Sequence, residues 1–222
     1  MENKLKVLEL FAGSRSVGKV ADKLGFEVFS SDINSFEGID YACNILHFDY
    51  DNLPFKPDII WASPPCTTYS VAAISHHRPH GGPLSDAAIE GDEIVKKTLE
   101  IINTLKPKYW FIENPRGMLR KQKFMTGLPR TTVWYCRYGD SRAKPTDIWT
   151  NHLRSLLNPN GWQPRPECKN GNKNCHHDKQ PRGYKEKKAT GALGKGTQGL
   201  KDNYERSIIP EPLCLEILNS IL

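Results

Sequence analysis

The chain lacks any long apolar run. None of its 222 residues falls in a stretch approaching the roughly eighteen apolar positions of a membrane helix, and mean hydropathy is −0.57, which excludes a helical spanning protein. Met1-Glu-Asn-Lys-Leu-Lys-Val7 offers no apolar segment ahead of a small-residue cleavage site, so secretion is not expected and a cytoplasmic, intracellular protein is. Cysteine is sparse as well. Cys43, Cys66, Cys136, Cys168, Cys175 and Cys214 are too thinly spread for a disulfide scaffold, so each is expected to serve as core residue, ligand or nucleophile. Internal repeats are missing, which excludes a solenoid or propeller. What remains, at 38% apolar and 25% charged residues, suffices for one globular domain with a sizeable core.

Charge is distributed unevenly. Residues 151–206 hold twelve Lys/Arg against five Asp/Glu, a local excess of seven, whereas the rest of the chain holds nineteen against twenty. The whole net charge of +6 therefore comes from one segment, which points to a polyanion partner, with a merely solvated face as the plain alternative. The same segment has seven glycines, four prolines and little apolar periodicity, and it reads as a loop-rich or partly disordered subdomain.

From Leu5 to Leu105, short apolar runs alternate with helical periodicity, as in βαβ units around a mainly parallel sheet. Leu5–Phe11 reads as a first strand, with a helix capped by Ser16 and closed by Gly25. Further strands are expected at Phe26–Ser31, around Cys43–Leu46, at Pro57–Ala62 and at Lys108–Ile112, then at Thr131–Arg137 and Thr146–Thr150. Asp86–Leu105 is the clearest helix, capped by Ser85 or Asp86. Pro212–Leu222 forms an apolar helix, with Leu215, Leu218 and Leu222 on one face, that can dock back on the sheet. Three parts follow: residues 1–150 as the catalytic domain, 151–206 as the basic segment, and 207–222 as the returning helix.

Ligands of open parallel sheets bind outside the carboxyl ends of the strands, and three such ends carry chemistry. In Glu9-Leu-Phe-Ala-Gly-Ser-Arg-Ser-Val-Gly18, Gly13 lets the backbone approach a ligand, and Asp32, about twenty residues on, can accept ribose hydroxyls. Trp61-Ala-Ser-Pro-Pro-Cys-Thr-Thr-Tyr-Ser70 holds a thiol on a loop stiffened by two prolines, as a nucleophile requires. Phe111-Ile-Glu-Asn-Pro115 adds a carboxylate at the next strand end.

Leu10-Phe-Ala-Gly13, Pro64-Pro65-Cys66 with Ser70, and Glu113-Asn114 followed by Gly117-Met-Leu119 resemble, in order and spacing, the motifs of cytosine-5 DNA methyltransferases. Arg142-Ala-Lys144 resembles a weakened form of the family's paired-arginine motif. The resemblance covers residues 5–150, with a fainter echo in Ser207–Leu222, and it fits a small, phage-type member with a reduced target-recognition region. It implies an α/β fold: a Rossmann-like S-adenosylmethionine-dependent methyltransferase sheet with a small loop-rich basic subdomain. It further implies that Cys66 is the thiolate that adds to cytosine carbon 6, that Glu113 hydrogen-bonds the ring nitrogen and exocyclic amine, and that Arg142 and Lys144 hold a carbonyl oxygen or phosphate. The cofactor positions carried over are Phe11, Ala12 and Gly13 for the methionine side, Asp32 for ribose, Ile33 for adenine, and Asn44 with Ile45 beside the adenine amine, where Asp49 is a rival. Pro64 joins the cofactor contacts, and Pro65, Ser70 and Asn114 join the substrate contacts. The target base must be flipped out or unpaired.

Departures from the family are Thr67 for a common Gln, Ser14-Arg-Ser16 for glycines, and Lys144 for Arg, which forfeits the bidentate fork. In the basic segment Cys168, Cys175, His176 and His177 offer ligands for a structural zinc, though the spacing matches no standard finger. Without metal the segment is a basic arm on DNA, with Arg182, Lys185, Lys187, Lys188 and Lys195 as phosphate contacts. His76, His77, Arg78 and His80 read either as solvated groups or as phosphate contacts, beside a Gly81-Gly82 hinge. Two other functions stay open: an exocyclic-amine base methyltransferase, against which Cys66 argues, and a weak or inactive DNA-binding subunit.

Overall fold

A computed structural model of the chain describes residues 4–168 and 203–222. Seven strands form one sheet: β1 (Lys6–Leu10), β2 (Glu27–Asp32), β3 (Tyr41–Ala42), β4 (Ile59–Ala62), β5 (Tyr109–Pro115), β6 (Arg130–Trp134) and β7 (Pro145–Thr150). Their order is β3-β2-β1-β4-β5-β7-β6. The first five strands pair in parallel, and β7 runs antiparallel to both β5 and β6. Apolar runs do not encode direction, so the sequence shows the strands without this reversal.

Among the described residues the α-helices are α1 (Ser16–Lys23), α2 (Ile74–His77), α3 (Asp86–Leu105), α4 (Asn203–Ser207) and α5 (Glu211–Asn219). Of these, α1, α3 and α5 cover both faces of the sheet, as buried parallel strands demand. On one face α1 and α5 bury Val17, Val20, Leu213, Cys214 and Ile217 against Val7, Trp61 and Phe111. On the other, α3 lays Val95, Ile101 and Ile102 over Leu8, Ile60 and Ile112. The β4 strand is fully buried, which is why it reads as a continuous apolar run rather than an alternating one.

Several sequence expectations shift. The strand expected at Cys43–Leu46 forms at Tyr41–Ala42 instead; Asn44 Oδ1 accepts the Leu46 N–H at 3.0 Å and winds Ile45–His47 into a 3₁₀ turn. Strand β5 runs on to Pro115, so Glu113 and Asn114 lie within it. Arg15, in a left-handed conformation, precedes α1 where Ser16 was expected as the cap; Ser16 Oγ instead receives the Ile209 N–H at 3.1 Å. Helix α3 has the expected bounds, and Ser85 Oγ accepts the Ala88 N–H. The buried face of α5 is Leu213, Cys214, Ile217 and Leu218; the helix ends at Asn219, and Leu222 lies beyond it, 76% exposed. Of the basic segment residues 151–168 and 203–206 are described, the latter within α4. In the first of these stretches Trp162 is buried and donates its Nε1–H to Glu216 on α5 at 3.2 Å, with Arg165 Nε on the same carboxylate at 2.7 Å. This stretch packs on the same layer as α5.

Candidate active site

Because β1, β2, β4 and β5 are parallel, their carboxyl ends share one edge. The loop after β1 places three alternate residues in the left-handed region: Phe11 (φ 58°), Gly13 (φ 48°) and Arg15 (φ 53°). Glycine adopts this without cost, whereas Phe11 and Arg15 each give up about 1 kcal/mol. The turn brings Gly13 N–H to Asp32 Oδ2 at 3.0 Å, and Asp32 Oδ1 accepts the Asn34 N–H at 2.9 Å. Arg15 stands where the family pattern has glycine, and its side chain compensates by donating from Nε to Ser30 Oγ (3.0 Å) and from Nη2 to Asp22 (3.1 Å).

Beneath this loop lies Glu9, only 3% exposed. It accepts the N–H groups of Val17 and Gly18 at 3.1 and 3.0 Å, so the first turn of α1 hangs on one carboxylate. Burial pushes its carboxyl up to about 7. Sequence reasoning missed this residue; the only signal was a charge between two strand leucines, Leu8 and Leu10. The C-terminal segment returns to the same loop. Ser207 Oγ lies 3.6 Å from where a Cβ on Gly13 would stand, and Phe36 meets Tyr204 with ring centroids 5.7 Å apart.

The other expected cofactor contacts divide. Ala12 is buried and Phe11 half-buried, while Ile33 is 67% exposed beside Asp32. Asn44 and its rival Asp49 each cap a 3₁₀ turn, accepting from Leu46 and Asp51. Ile45 packs into the core with Leu8 and Leu10.

The turn after β4 carries Cys66, half-buried, between buried Pro64 and exposed Pro65 on one side and the Thr67–Ser70 turn on the other. Tyr69 and Ser70 both donate their backbone N–H to Cys66 O, at 3.1 and 3.0 Å, closing a single turn around the thiol residue. Asn114 Nδ2 donates to Pro64 O at 2.8 Å, tying this turn to β5; its Oδ1 has no partner among the described residues. Met118 N–H reaches Tyr69 O at 2.7 Å, an approach that only glycine at 117 permits, since a Cβ there would stand 2.2 Å from that oxygen. The two motifs are thus pinned to each other twice.

Glu113, 6% exposed, is one residue past Ile112, which pairs with the last residue of β4. Its Oε1 accepts the hydroxyl of Tyr135 at 2.8 Å. Tyr135 is fully buried, and burial together with the neighbouring Glu113 charge holds its hydroxyl far above the ordinary range, so it stays a donor. Lys144 Nζ lies 4.7 Å from the Tyr135 ring centroid. Arg142 turns its Nε to both oxygens of Asp140 at 2.9 and 3.0 Å, and that pairing raises its already high pKa. Tyr135 is the second residue that sequence reasoning missed, hidden in what reads as an ordinary apolar strand.

Arg182, Lys185, Lys187, Lys188 and Lys195 lie outside the described residues, as do Cys175, His176 and His177. Cys168 is described; it is buried with Trp134 and Cys136. Among the described residues no group of three or more His, Cys, Asp or Glu side chains is placed to hold a metal ion. No helix among them is long and apolar enough to cross a membrane.

Comparison with known proteins accords with this geometry. The chain is 29% identical over 223 residues to the probable DNA (cytosine-5)-methyltransferase of Frog virus 3 (isolate Goorha), covering 97% of this chain and 99% of the viral one. Among solved structures, the Entamoeba histolytica methyltransferase EhMeth superposes with a TM-score of 0.52 at 16% identity, over 75% of this chain and 58% of that one, a likeness of fold. The model of the C-5 cytosine-specific DNA methylase family matches residues 5–126, from β1 through all three strand ends and short of Arg142. A match over more than half of the chain, centred on the edge where the thiol and the carboxylate stand, places this protein in the C-5 cytosine-specific DNA methylase family.

Proposed function

We propose that this protein transfers a methyl group from S-adenosylmethionine to carbon 5 of cytosine in DNA, through a transient bond between Cys66 Sγ and carbon 6 of the base. The observation that carries the reading is the tie from Asn114 to Pro64, which joins the turn bearing a half-buried thiol to the strand bearing a buried carboxylate. The cofactor fits the first two strand ends. Asp32 keeps lone pairs for ribose hydroxyls, and the exposed side chain of Ile33 beside it offers apolar surface to a flat ring. Bound there, the cofactor supplies an electrophilic methyl sulfonium. Cytosine carbon 5 is too weak a nucleophile to accept that methyl directly. Attack by the Cys66 thiolate on carbon 6 pushes electron density into the ring and makes carbon 5 reactive. Glu113 shares a proton with ring nitrogen 3 and accepts from the exocyclic amine, stabilising the developing charge in a site that burial keeps dry. Loss of the carbon-5 proton and expulsion of the thiolate restore the aromatic ring. A base inside a duplex cannot reach this edge, so the target is extruded or single-stranded. The basic segment tracks the phosphates.

The test uses DNA containing 5-fluorocytosine with labelled cofactor. Fluorine at carbon 5 blocks the final elimination, so a denaturation-resistant protein–DNA complex should accumulate with the wild-type protein and vanish in Cys66→Ala. Labelled DNA without a trapped complex would indicate exocyclic-amine methylation. DNA binding without labelling would indicate a non-catalytic subunit.

A further inference from the structure

Arg78 sits in a run of histidines, yet it is 0% exposed. Its Nη2 donates to Asp92 Oδ1 at 2.7 Å and to Ala88 O at 2.9 Å, both on α3, and its Nε donates to Thr68 O at 3.1 Å. The guanidinium carbon lies 4.2 Å from the Tyr69 ring centroid, and the Tyr69 hydroxyl donates to the same Asp92 oxygen at 2.7 Å. Thr68 and Tyr69 are the second and third residues after Cys66. The end of α2, helix α3 and the thiol-bearing turn therefore converge on one buried carboxylate. There is no slack where they meet, because a Cβ on Gly91 of α3 would stand 2.9 Å from Thr68 Oγ1.

A buried ion pair adds little net stability, since desolvation offsets the attraction, and its best-attested use is to fix one arrangement among several. Here the bias toward shape is plain: Arg78 Nη1 is buried with no acceptor among the described residues, a deficit that a purely stabilising arrangement would avoid. We propose that Arg78 and Asp92 are positioning residues for methyl transfer, a buried clamp that holds the Cys66–Ser70 turn against α3 and so fixes the thiol on the edge. They act through the turn and not on the substrate. The proposal rests on Cys66 being the nucleophile.

Replacing the pair with apolar residues of similar volume, Arg78→Met with Asp92→Leu, separates position from stability. The expected result is a melting temperature within a few degrees of wild type, cofactor binding within twofold, and trapping on 5-fluorocytosine DNA slowed at least tenfold. Trapping at the wild-type rate in the folded double variant would overturn the clamp while leaving the role of Cys66 intact. A wild-type protein that never traps would overturn both. Should the double variant fail to fold, Gly91→Ala decides. Alanine favours the helix but drives a methyl into Thr68, so slower trapping without loss of thermal stability supports the clamp, and unchanged trapping refutes it.

Discussion

Removal of one hydroxyl tests how Glu113 is held. In Tyr135→Phe the ring remains, so Lys144 keeps its place 4.7 Å from the ring centroid, and the buried volume hardly changes. The 2.8 Å hydrogen bond to Glu113 Oε1 disappears. A hydrogen bond to a charged group contributes about 1.5–3 kcal/mol, and a buried carboxyl left short of a donor forfeits most of it. On the proposed mechanism that hydrogen bond also directs which carboxyl oxygen meets the base. If the deficit is felt fully in the transition state, kcat falls by about 10- to 100-fold, at about 1.4 kcal/mol per factor of ten. Cofactor affinity should stay within twofold, because the proposed cofactor contacts Phe11, Gly13 and Asp32 are untouched. The assay is single-turnover methyl transfer alongside cofactor titration and thermal melting. A kcat within twofold of wild type, whatever happens to stability, would refute the view that Tyr135 orients the acid.

Further outcomes are expected elsewhere in the fold. Gly117→Ala places a methyl 2.2 Å from Tyr69 O, so the two motif loops must part and the Met118 to Tyr69 hydrogen bond must break. Denaturant titration should show destabilisation by about 1–3 kcal/mol, with trapping on 5-fluorocytosine DNA reduced more than stability alone explains. For Glu9, burial raises the folded pKa from 4.5 to about 7, so the folded state prefers the protonated form. Its contribution is therefore complete below pH 4.5 and is lost as pH rises through 7, by roughly 3 kcal/mol at 1.36 kcal/mol per pKa unit. Urea midpoints at pH 5 and pH 8 should converge in Glu9→Gln, and an undiminished pH dependence there would show that Glu9 is not the titrating group. Replacing Lys185, Lys187 and Lys188 with Ala should flatten the slope of log K against log salt for DNA binding by up to about 3, roughly one unit for each phosphate no longer neutralised; an unchanged slope would remove these lysines from the interface.

What the sequence reveals of this protein depends on whether the signal is local. The β1 and β4 strands read correctly because burial makes them largely apolar along their length, and α3 because Ser85 and twenty residues of one period announce it. Cys66, Glu113 and Asp32 were legible for a related reason: a parallel sheet sends every carboxyl end to the same edge, so finding strand ends finds the candidate site. The failures are mostly long-range. Asn44 is the local exception, looking like part of an apolar strand until its side chain capped the backbone two residues on. Arg78, amid histidines and next to proline, carries every local mark of a solvated residue. It is buried because Asp92 faces it from a helix whose sequence shows only an acid among acids, Glu90, Asp92 and Glu93. Glu9 and Tyr135 are likewise defined by partners eight and twenty-two residues away. The groups proposed to touch the reaction belong to short motifs, while the groups that hold them still are chosen by packing. A sequence motif thus finds the proposed nucleophile readily, but finding the proposed clamp behind it requires the fold.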